Sequence, residues 1–209
     1  MNKRTGILIL VVIHLVGVCA MYTPYQSFFV TLSPYNLLLT AFVLFYKRLK
    51  THDLIPLGIV FVSGLGVEML GVNTGFPFGE YVYSKIFGPQ IFNTPLLIGL
   101  LWTILMYSFD RVLRHRISKP WVLALSVGMG MTLLDFFIEP VAISLNFWSW
   151  EKGFPPTENY LSWFIVSVLL SFVLTAFRAK SSEVDSLPNP LAIWVLWMQF
   201  GFFIALQGL

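Results

Sequence analysis

Three acidic residues in apolar surroundings are the side chains of this sequence best suited to proton chemistry. Glu68, Asp135 and Glu139 lie within or at the end of long apolar stretches that carry no lysine or arginine in their middle. An ionised acid at the centre of a bilayer costs roughly 2.5–3.5 kcal/mol on insertion scales, so such an acid needs a function or a partner. Burial without a cationic partner favours the protonated, uncharged carboxyl.

The spacing of two of these acids favours a proton donor. Glu139 follows Asp135 by four residues and shares its helix face if the helix continues that far. Like charges at this spacing repel, so one of the pair is expected to hold a proton near neutral pH. A carboxyl kept protonated in this way can act as a general acid. The alternative is a structural role, in which the acids are hydrogen-bonded links between helices.

The composition predicts that a membrane bundle positions these acids. The chain is 57% hydrophobic and 11% charged, whereas about 25% of the residues of a soluble domain are charged. Apolar runs of the ~20 residues that span a bilayer predict an all-α, polytopic transmembrane bundle that forms a single domain over residues 1–209. The seven predicted spans are 6–23, 30–46, 54–72, 95–113, 120–139, 159–178 and 190–207.

The basic residues predict the orientation of the bundle. Eleven of the thirteen lysines and arginines, Lys3, Arg178 and Lys180 among them, fall on one side of the seven spans, and only Lys85 and Lys152 fall on the other. The positive-inside rule then places the N-terminus in the cytoplasm. Because the positive charge follows the topology, we expect membrane lipid and not nucleic acid as a partner.

Two of the acids are expected at a similar depth. Glu68 and Asp135 each lie about 21 Å from the inner boundary of their spans, at ~1.5 Å per residue. Small residues share their helix faces, Gly64 and Gly71 with Glu68, and Gly128 with Asp135. Since small residues let membrane helices approach closely, both acids should face the interior of the bundle.

Other polar residues of the spans have structural interpretations. His14 lies in the first span, whereas His52 and His115 fall in inner loops, so no metal site is expected. His14 is expected to be a hydrogen-bonded interior side chain. Asp110 begins a basic cluster and is expected to form a salt bridge with Arg114.

The segment that begins at Glu68 carries a distinctive motif. It reads Glu68-Met-Leu-Gly-Val-Asn-Thr-Gly-Phe-Pro-Phe-Gly-Glu-Tyr-Val-Tyr83. It resembles the E-x-x-G-x-x-T-G-x-P-F-G-x-Y-x-Y pattern of the membrane-integral carotenoid biosynthesis family, which contains the carotenoid 1′,2′-hydratases of the bisanhydrobacterioruberin hydratase type. The likeness covers most of residues 60–165, with further matches at Asp135, Trp148, Trp150, Asn159 and Trp163.

The resemblance implies a hydro-lyase that adds water to the terminal 1′,2′ double bond of an acyclic carotenoid end group, giving a tertiary alcohol. Glu68, Asp135 and Glu139 are then the catalytic residues, with Asp135 or Glu68 as general acid and the other orienting water. No metal or redox cofactor is implied. The implied partners are a carotenoid substrate, membrane lipid and other enzymes of the carotenoid pathway, in a bacterial or archaeal plasma membrane.

The resemblance also implies a set of substrate-binding residues. Aromatic faces would stabilise a tertiary cation through cation–π attraction, and amides and a hydroxyl would position the water. The residues available for these roles are Asn73, Thr74, Phe78, Tyr81, Tyr83, Trp148, Trp150, Asn159 and Trp163.

Other functions would use the same acids. A proton-coupled transporter also carries buried acids, but it is expected to have helices broken at the bilayer midplane, and here proline and glycine cluster in the outer loops and helix ends. A retinal protein needs a lysine inside a span, and the predicted spans contain none. A carotenoid cyclase and a carotenoid-binding protein without catalysis remain alternatives that product analysis separates.

Overall fold

The fold is an all-α membrane helical bundle. The computed structural model describes residues 1–179 and 189–209, and side chains from 1 to 177 and from 189 onward. The helices in this part of the chain are α1 (Lys3–Met21), α2 (Gln26–Val30), α3 (Ser33–Phe45), α4 (Thr51–Thr74), α5 (Leu96–Leu113), α6 (Pro120–Ser144), α7 (Thr157–Ala179) and α8 (Pro190–Ala205).

Each of the seven predicted spans coincides with one helix, and α2 is an additional short helix before the second span. By length and composition, α1, α4, α5, α6 and α7 can cross a membrane. The apolar helices α3 and α8 are shorter, with 13 and 16 residues. At ~1.5 Å per residue they are shorter than the ~30 Å hydrocarbon core. Pro34 stands in the first turn of α3, where proline favours the start of a helix, so α3 begins later than predicted.

Glycines bring the helix backbones of two pairs into contact. A Cβ atom added at Gly128 of α6 would lie 3.1 Å from the backbone oxygen of Phe164 in α7. A Cβ at Gly99 of α5 would lie 3.0 Å from the backbone oxygen of Phe61 in α4. Small residues allow this approach where lipid supplies no hydrophobic force between helices. These two helix pairs carry the acids and two of their hydrogen-bond partners, Trp102 and Asn159.

Two ion pairs lie at the end of the bundle that bears the basic loops, one between helices and one at the end of α5. Arg111 of α5 lies 2.6 Å from Asp53 of α4, measured from Nη2 to Oδ1, and both side chains are buried. The predicted salt bridge between Arg114 and Asp110 is confirmed, with 3.6 Å between Nη1 and Oδ2. Arg178 and Lys180, which the sequence assigns to the same end, lie outside the described side chains.

Short strands, which the all-α prediction did not include, form at the opposite end. They are β1 (Tyr81–Tyr83), β2 (Gln90–Ile91), β3 (Thr94–Pro95) and β4 (Trp148–Trp150). β1 pairs antiparallel with β4, so that Tyr81 is opposite Trp150 and Tyr83 opposite Trp148, and β2 pairs with β3. Because alternate residues of a strand share a face, all four rings stand on one face of the β1–β4 ribbon.

Two glycines with positive φ shape the loop between α4 and β1. Gly75 ends α4 with a φ of 73°, and Gly79 has a φ of 105°. A Cβ at Gly79 would lie 2.6 Å from Cγ of Pro156, so a larger residue would be strained and would clash. The Ser162 hydroxyl on α7 donates to the backbone oxygen of Pro77 at 2.7 Å. The turn therefore accounts for these two glycines of the motif.

Candidate active site

Glu68 on α4 accepts hydrogen bonds on both carboxyl oxygens. The Tyr81 and Tyr83 hydroxyls donate to Oε2 at 2.6 and 2.8 Å. The Trp102 indole N–H on α5 donates to Oε1 at 3.0 Å. Glu68 itself is only 3% exposed. Three donors aimed at one buried carboxyl stabilise its ionised form, because hydrogen bonds to a charge are stronger than those between neutral groups.

The two tyrosines of β1 are held as donors. Burial raises the pKa of Tyr81 and of Tyr83 well above the usual value, and the nearby Glu68 charge raises both further. Each hydroxyl therefore keeps its proton through the physiological pH range. Gly71, one turn after Glu68, makes room for this contact, since a Cβ there would lie 2.9 Å from the Tyr81 oxygen.

Asp135 and Glu139 lie on the same face of α6, which continues through Pro140. The Asn159 amide on α7 reaches both acids, donating to Asp135 Oδ2 at 2.8 Å and to Glu139 Oε1 at 3.5 Å. Both acids are almost completely buried, with exposed fractions of 1% and 2%. The predicted i, i+4 pair is therefore present in the structure, and a single amide connects its two members.

Glu139 accepts hydrogen bonds from the two indoles of β4. Trp148 Nε1 donates to Glu139 Oε2 at 3.0 Å and Trp150 Nε1 donates to the same oxygen at 2.7 Å. An indole N–H can only donate, so this oxygen must be an acceptor. The ribbon thus divides its polar groups between two acids, with the hydroxyls of β1 on Glu68 and the indoles of β4 on Glu139.

The three acids line one small cavity of about 20 Å³. A volume of this size holds a single water molecule. Its walls are Glu68, Tyr81, Tyr83, Ile98, Leu101, Asp135, Ile138, Glu139, Trp148, Trp150, Asn159 and Trp163. The cavity combines carboxyl groups, aromatic faces and an amide in a space with room for about one water, which suits proton transfer to an apolar molecule.

Most of the predicted site residues meet at this cavity. All three predicted catalytic acids line it, together with six predicted substrate-binding residues: Tyr81, Tyr83, Trp148, Trp150, Asn159 and Trp163. The structure brings these side chains together from α4, α6, α7 and both strands of the ribbon.

Three predicted substrate-binding residues lie outside the cavity. The Asn73 amide donates to the backbone oxygens of Met69 and Phe92, which ties the end of α4 to a loop. The Thr74 hydroxyl donates to the Leu70 oxygen at 2.7 Å, within the last turn of the same helix. Phe78 is 1% exposed and packs beside Tyr81, with 6.3 Å between ring centroids. Thr74 also lines a larger groove that borders Trp150, and the substrate-binding role of all three residues stays a prediction.

Sequence reasoning did not assign a site role to Trp102. Its indole donates to Glu68, and its ring stacks on Trp163 at 4.2 Å between centroids and 20° between planes. The sequence feature that could have pointed to Trp102 is Gly64, whose lack of a side chain predicts that a neighbouring group approaches the helix closely. A Cβ at Gly64 would lie 2.6 Å from Cγ of Trp102, so the missing side chain leaves space for the indole. In the described part of the chain, no three His, Cys, Asp or Glu side chains are grouped to hold a metal ion.

Comparison with known proteins bears on most of the chain. A family model described as carotenoid biosynthesis protein matches residues 26–208. A curated relative, bisanhydrobacterioruberin hydratase of Haloarcula japonica, is 27% identical over 166 residues, covering 65% of this chain and 55% of the relative. The chain therefore spans about half the length of that relative, and no solved structure matches it. Because the family model covers nearly the whole chain, the chain belongs to the carotenoid biosynthesis protein family.

Proposed function

We propose that this protein is a carotenoid hydratase, which adds water across the terminal 1′,2′ double bond of an acyclic carotenoid end group to give a tertiary alcohol. The observation that carries the proposal is the small cavity in which Glu68, Asp135 and Glu139 lie among aromatic rings. The family and the hydratase name of the relative support the same substrate class and reaction.

Hydrogen bonding favours Asp135 as the proton donor. Among the described residues, Asp135 accepts one hydrogen bond, from Asn159, whereas Glu68 accepts from three side chains. Glu139 accepts from two indoles that can only donate. The acid with fewest donors gains least from ionisation, so the proton of the i, i+4 pair resides on Asp135.

The reaction then proceeds with all atoms accounted for. The Asp135 proton adds to the less substituted carbon of the double bond and leaves a tertiary cation on the other carbon. The negative charge of Glu68 and the faces of Tyr83 and Trp163 stabilise this cation. The oxygen of water bonds to the cation, and Glu139 accepts the proton that water releases. Transfer of that proton from Glu139 to Asp135, four residues away, restores the starting state.

The size of the cavity favours hydration over cyclisation. A cyclase would use the same protonated acid and the same cation, but it would end by removing a proton instead of adding water. A cavity with room for one water beside three carboxyls supplies the nucleophile that hydration requires. The two reactions differ in product mass, because a hydrated product is heavier by one water and a cyclised product has unchanged mass.

Pigment analysis tests the proposal. Wild-type protein is expressed in a host that makes an acyclic carotene, and we expect a product that is heavier by one water. Asp135→Asn and Glu68→Gln should lower its formation by about 10²- to 10⁴-fold, the usual contribution of a general acid or base. Glu151→Gln, which changes an exposed acid at the same end of the bundle, is the matched control and should keep full activity.

The amount of each variant in the membrane is measured alongside the pigment, so that loss of protein is not taken for loss of activity. The proposal fails if the wild-type protein yields no hydrated carotenoid. It also fails if the Asp135 and Glu68 variants both retain the activity of the control.

A further inference from the structure

A second cavity adjoins the carboxyl cavity, and a single layer of side chains separates the two. This apolar chamber has a volume of about 90 Å³ and lies between α1, α3, α8 and the outer loops. Leu101, Ile138 and Trp148 line both spaces. These three side chains form a partition between the two spaces. Movement of the partition would join the chamber to the space that contains the acids.

The lining of the apolar chamber suits a hydrocarbon. Its surface is built largely from Leu37, Phe87, Phe147, Phe202 and Phe203, and among the described residues no Asp, Glu, Lys or Arg lines it. Its polar lining consists of His14, Ser33, Asn36 and Gln199, of which His14 and Gln199 lie within hydrogen-bond distance of each other. His14 Nδ1 lies 2.8 Å from the Leu10 backbone oxygen, and His14 Nε2 lies 3.3 Å from Gln199 Nε2.

The larger groove, which borders Trp150, differs from the chamber in carrying charged side chains. It has a volume of about 850 Å³, and apolar residues such as Leu161 and Ile165 line it together with the charged Glu80, Glu151, Lys152 and Glu158. Charged side chains hold water, whereas each Å² of apolar surface removed from water contributes about 25 cal/mol. The chamber is therefore the space that offers a hydrocarbon a lining without charged side chains among the described residues, and it shares three wall residues with the carboxyl cavity, whereas the groove shares only Trp150.

The chamber also has an opening toward the outside of the bundle. Leu37 on α3 and both Phe202 and Phe203 on α8 are half-buried, so the chamber is reached between these two helices. A long lipophilic molecule can therefore place one end in the chamber while the rest stays in lipid. The carboxyl cavity, with room for about one water, admits an end group only when the partition moves.

We propose that the apolar chamber binds the hydrocarbon segment next to the reacting double bond of a linear isoprenoid, and that the terminal double bond reaches Asp135 and Glu139 through the partition. This inference rests on the proposed function for the identity of the ligand. Trp148 links the two events, because its ring forms part of the partition while its indole N–H donates to Glu139.

The first experiment fills the chamber. Leu37→Trp places a larger side chain in it, and Leu38→Trp is the matched control, since Leu38 is 46% exposed and faces away. Both changes are made with Asp135→Asn, which prevents turnover, and the purified proteins are titrated with lycopene in detergent while its induced circular dichroism is recorded. We expect Leu37→Trp to weaken binding by about tenfold or more and Leu38→Trp to bind like the parent. Equal affinities overturn the inference.

A second experiment uses a smaller change, in case the tryptophan disturbs folding. Cys19 is the only cysteine of the chain, so Leu37→Cys or Leu38→Cys in a Cys19→Ser background gives one reactive thiol. Lycopene at ten times its dissociation constant should slow maleimide labelling of Leu37→Cys by about tenfold, because bound protein is protected. Labelling of Leu38→Cys should be unchanged. Absence of protection at Leu37→Cys overturns the inference.

The outcomes separate this inference from the proposed function. If lycopene protects Leu37→Cys but wild-type protein forms no hydrated carotenoid, the chamber is supported and the hydratase proposal fails. If wild-type protein forms the hydrated product while Leu37→Trp and Leu38→Trp behave alike, the hydratase proposal stands and the chamber is rejected.

Discussion

A single methyl group at Gly71 should disconnect Tyr81 from Glu68. In Gly71→Ala, the new Cβ would lie 2.7 Å from Cδ2 of Phe78 and 2.9 Å from the Tyr81 hydroxyl oxygen. Both rings are almost fully buried, and Phe78 is held in the turn that Gly75 and Gly79 constrain. The tyrosine hydroxyl, at the end of its side chain, is the group expected to shift.

The expected loss of turnover follows from the hydrogen bond that is broken. Tyr81 donates to Glu68 Oε2 at 2.6 Å, and a hydrogen bond to a charged group contributes about 1.5–3 kcal/mol. If this hydrogen bond holds Glu68 where its charge stabilises the cation, loss of the bond raises the free energy of the transition state by the same amount. At ~1.4 kcal/mol per factor of ten, Gly71→Ala should lower turnover by about 10- to 100-fold.

The matched control lies on the same helix. A Cβ added at Gly66 has no neighbour within 4 Å, so Gly66→Ala changes the same residue type in α4 without touching the site. Hydrated carotenoid per amount of purified protein is measured for both variants in liposomes, together with their melting temperatures. If Gly71→Ala turns over substrate as fast as Gly66→Ala, then the contact between Tyr81 and Glu68 does not support catalysis.

Two further predictions concern stability. Asp53→Asn leaves the buried Arg111 without its carboxylate partner at 2.6 Å. Because breaking a buried ion pair costs about 3–5 kcal/mol, the melting temperature in detergent should fall. An unchanged melting temperature would contradict the pairing. Burial raises the pKa of Tyr83 above its value of about 10 in the unfolded chain. The unfolded state therefore binds fewer protons than the folded state at high pH, and the free energy of unfolding should fall as pH rises above about 10. Tyr83→Phe should reduce this fall, whereas Tyr25→Phe, which changes an exposed ring, should leave it as steep as in the wild type.

The helices and the inward orientation of the acids could be predicted because they depend on local properties of the chain. Hydropathy decides which segments prefer lipid, and each predicted span coincides with a helix. Glu68 and Asp135 are expected to face inward because small residues share their helix faces and because acids with no cationic neighbour in sequence are costly in lipid. The structure buries both at one cavity.

The glycines of α4 show where local reasoning stopped. Gly64 and Gly71 were interpreted as sites of close helix approach, whereas the structure fills the space beside them with the aromatic side chains of Trp102, Phe78 and Tyr81. A missing side chain indicates that something approaches, but only the tertiary packing shows what it is. Asn73 and Thr74 show a second limit. They lie close to an acid in sequence, but their side chains hydrogen-bond to the backbone.

The amino-acid sequence alone determined a lipid-embedded helical bundle, the three acids inside it and the motif that carries the family resemblance. The tertiary structure decided which donors each acid receives: the hydroxyls of β1 and the Trp102 indole on Glu68, and the indoles of β4 on Glu139. The reason is that β1 and β4 are more than sixty residues apart in sequence. Their register depends on pairing between distant segments, which no local pattern of hydropathy or charge encodes.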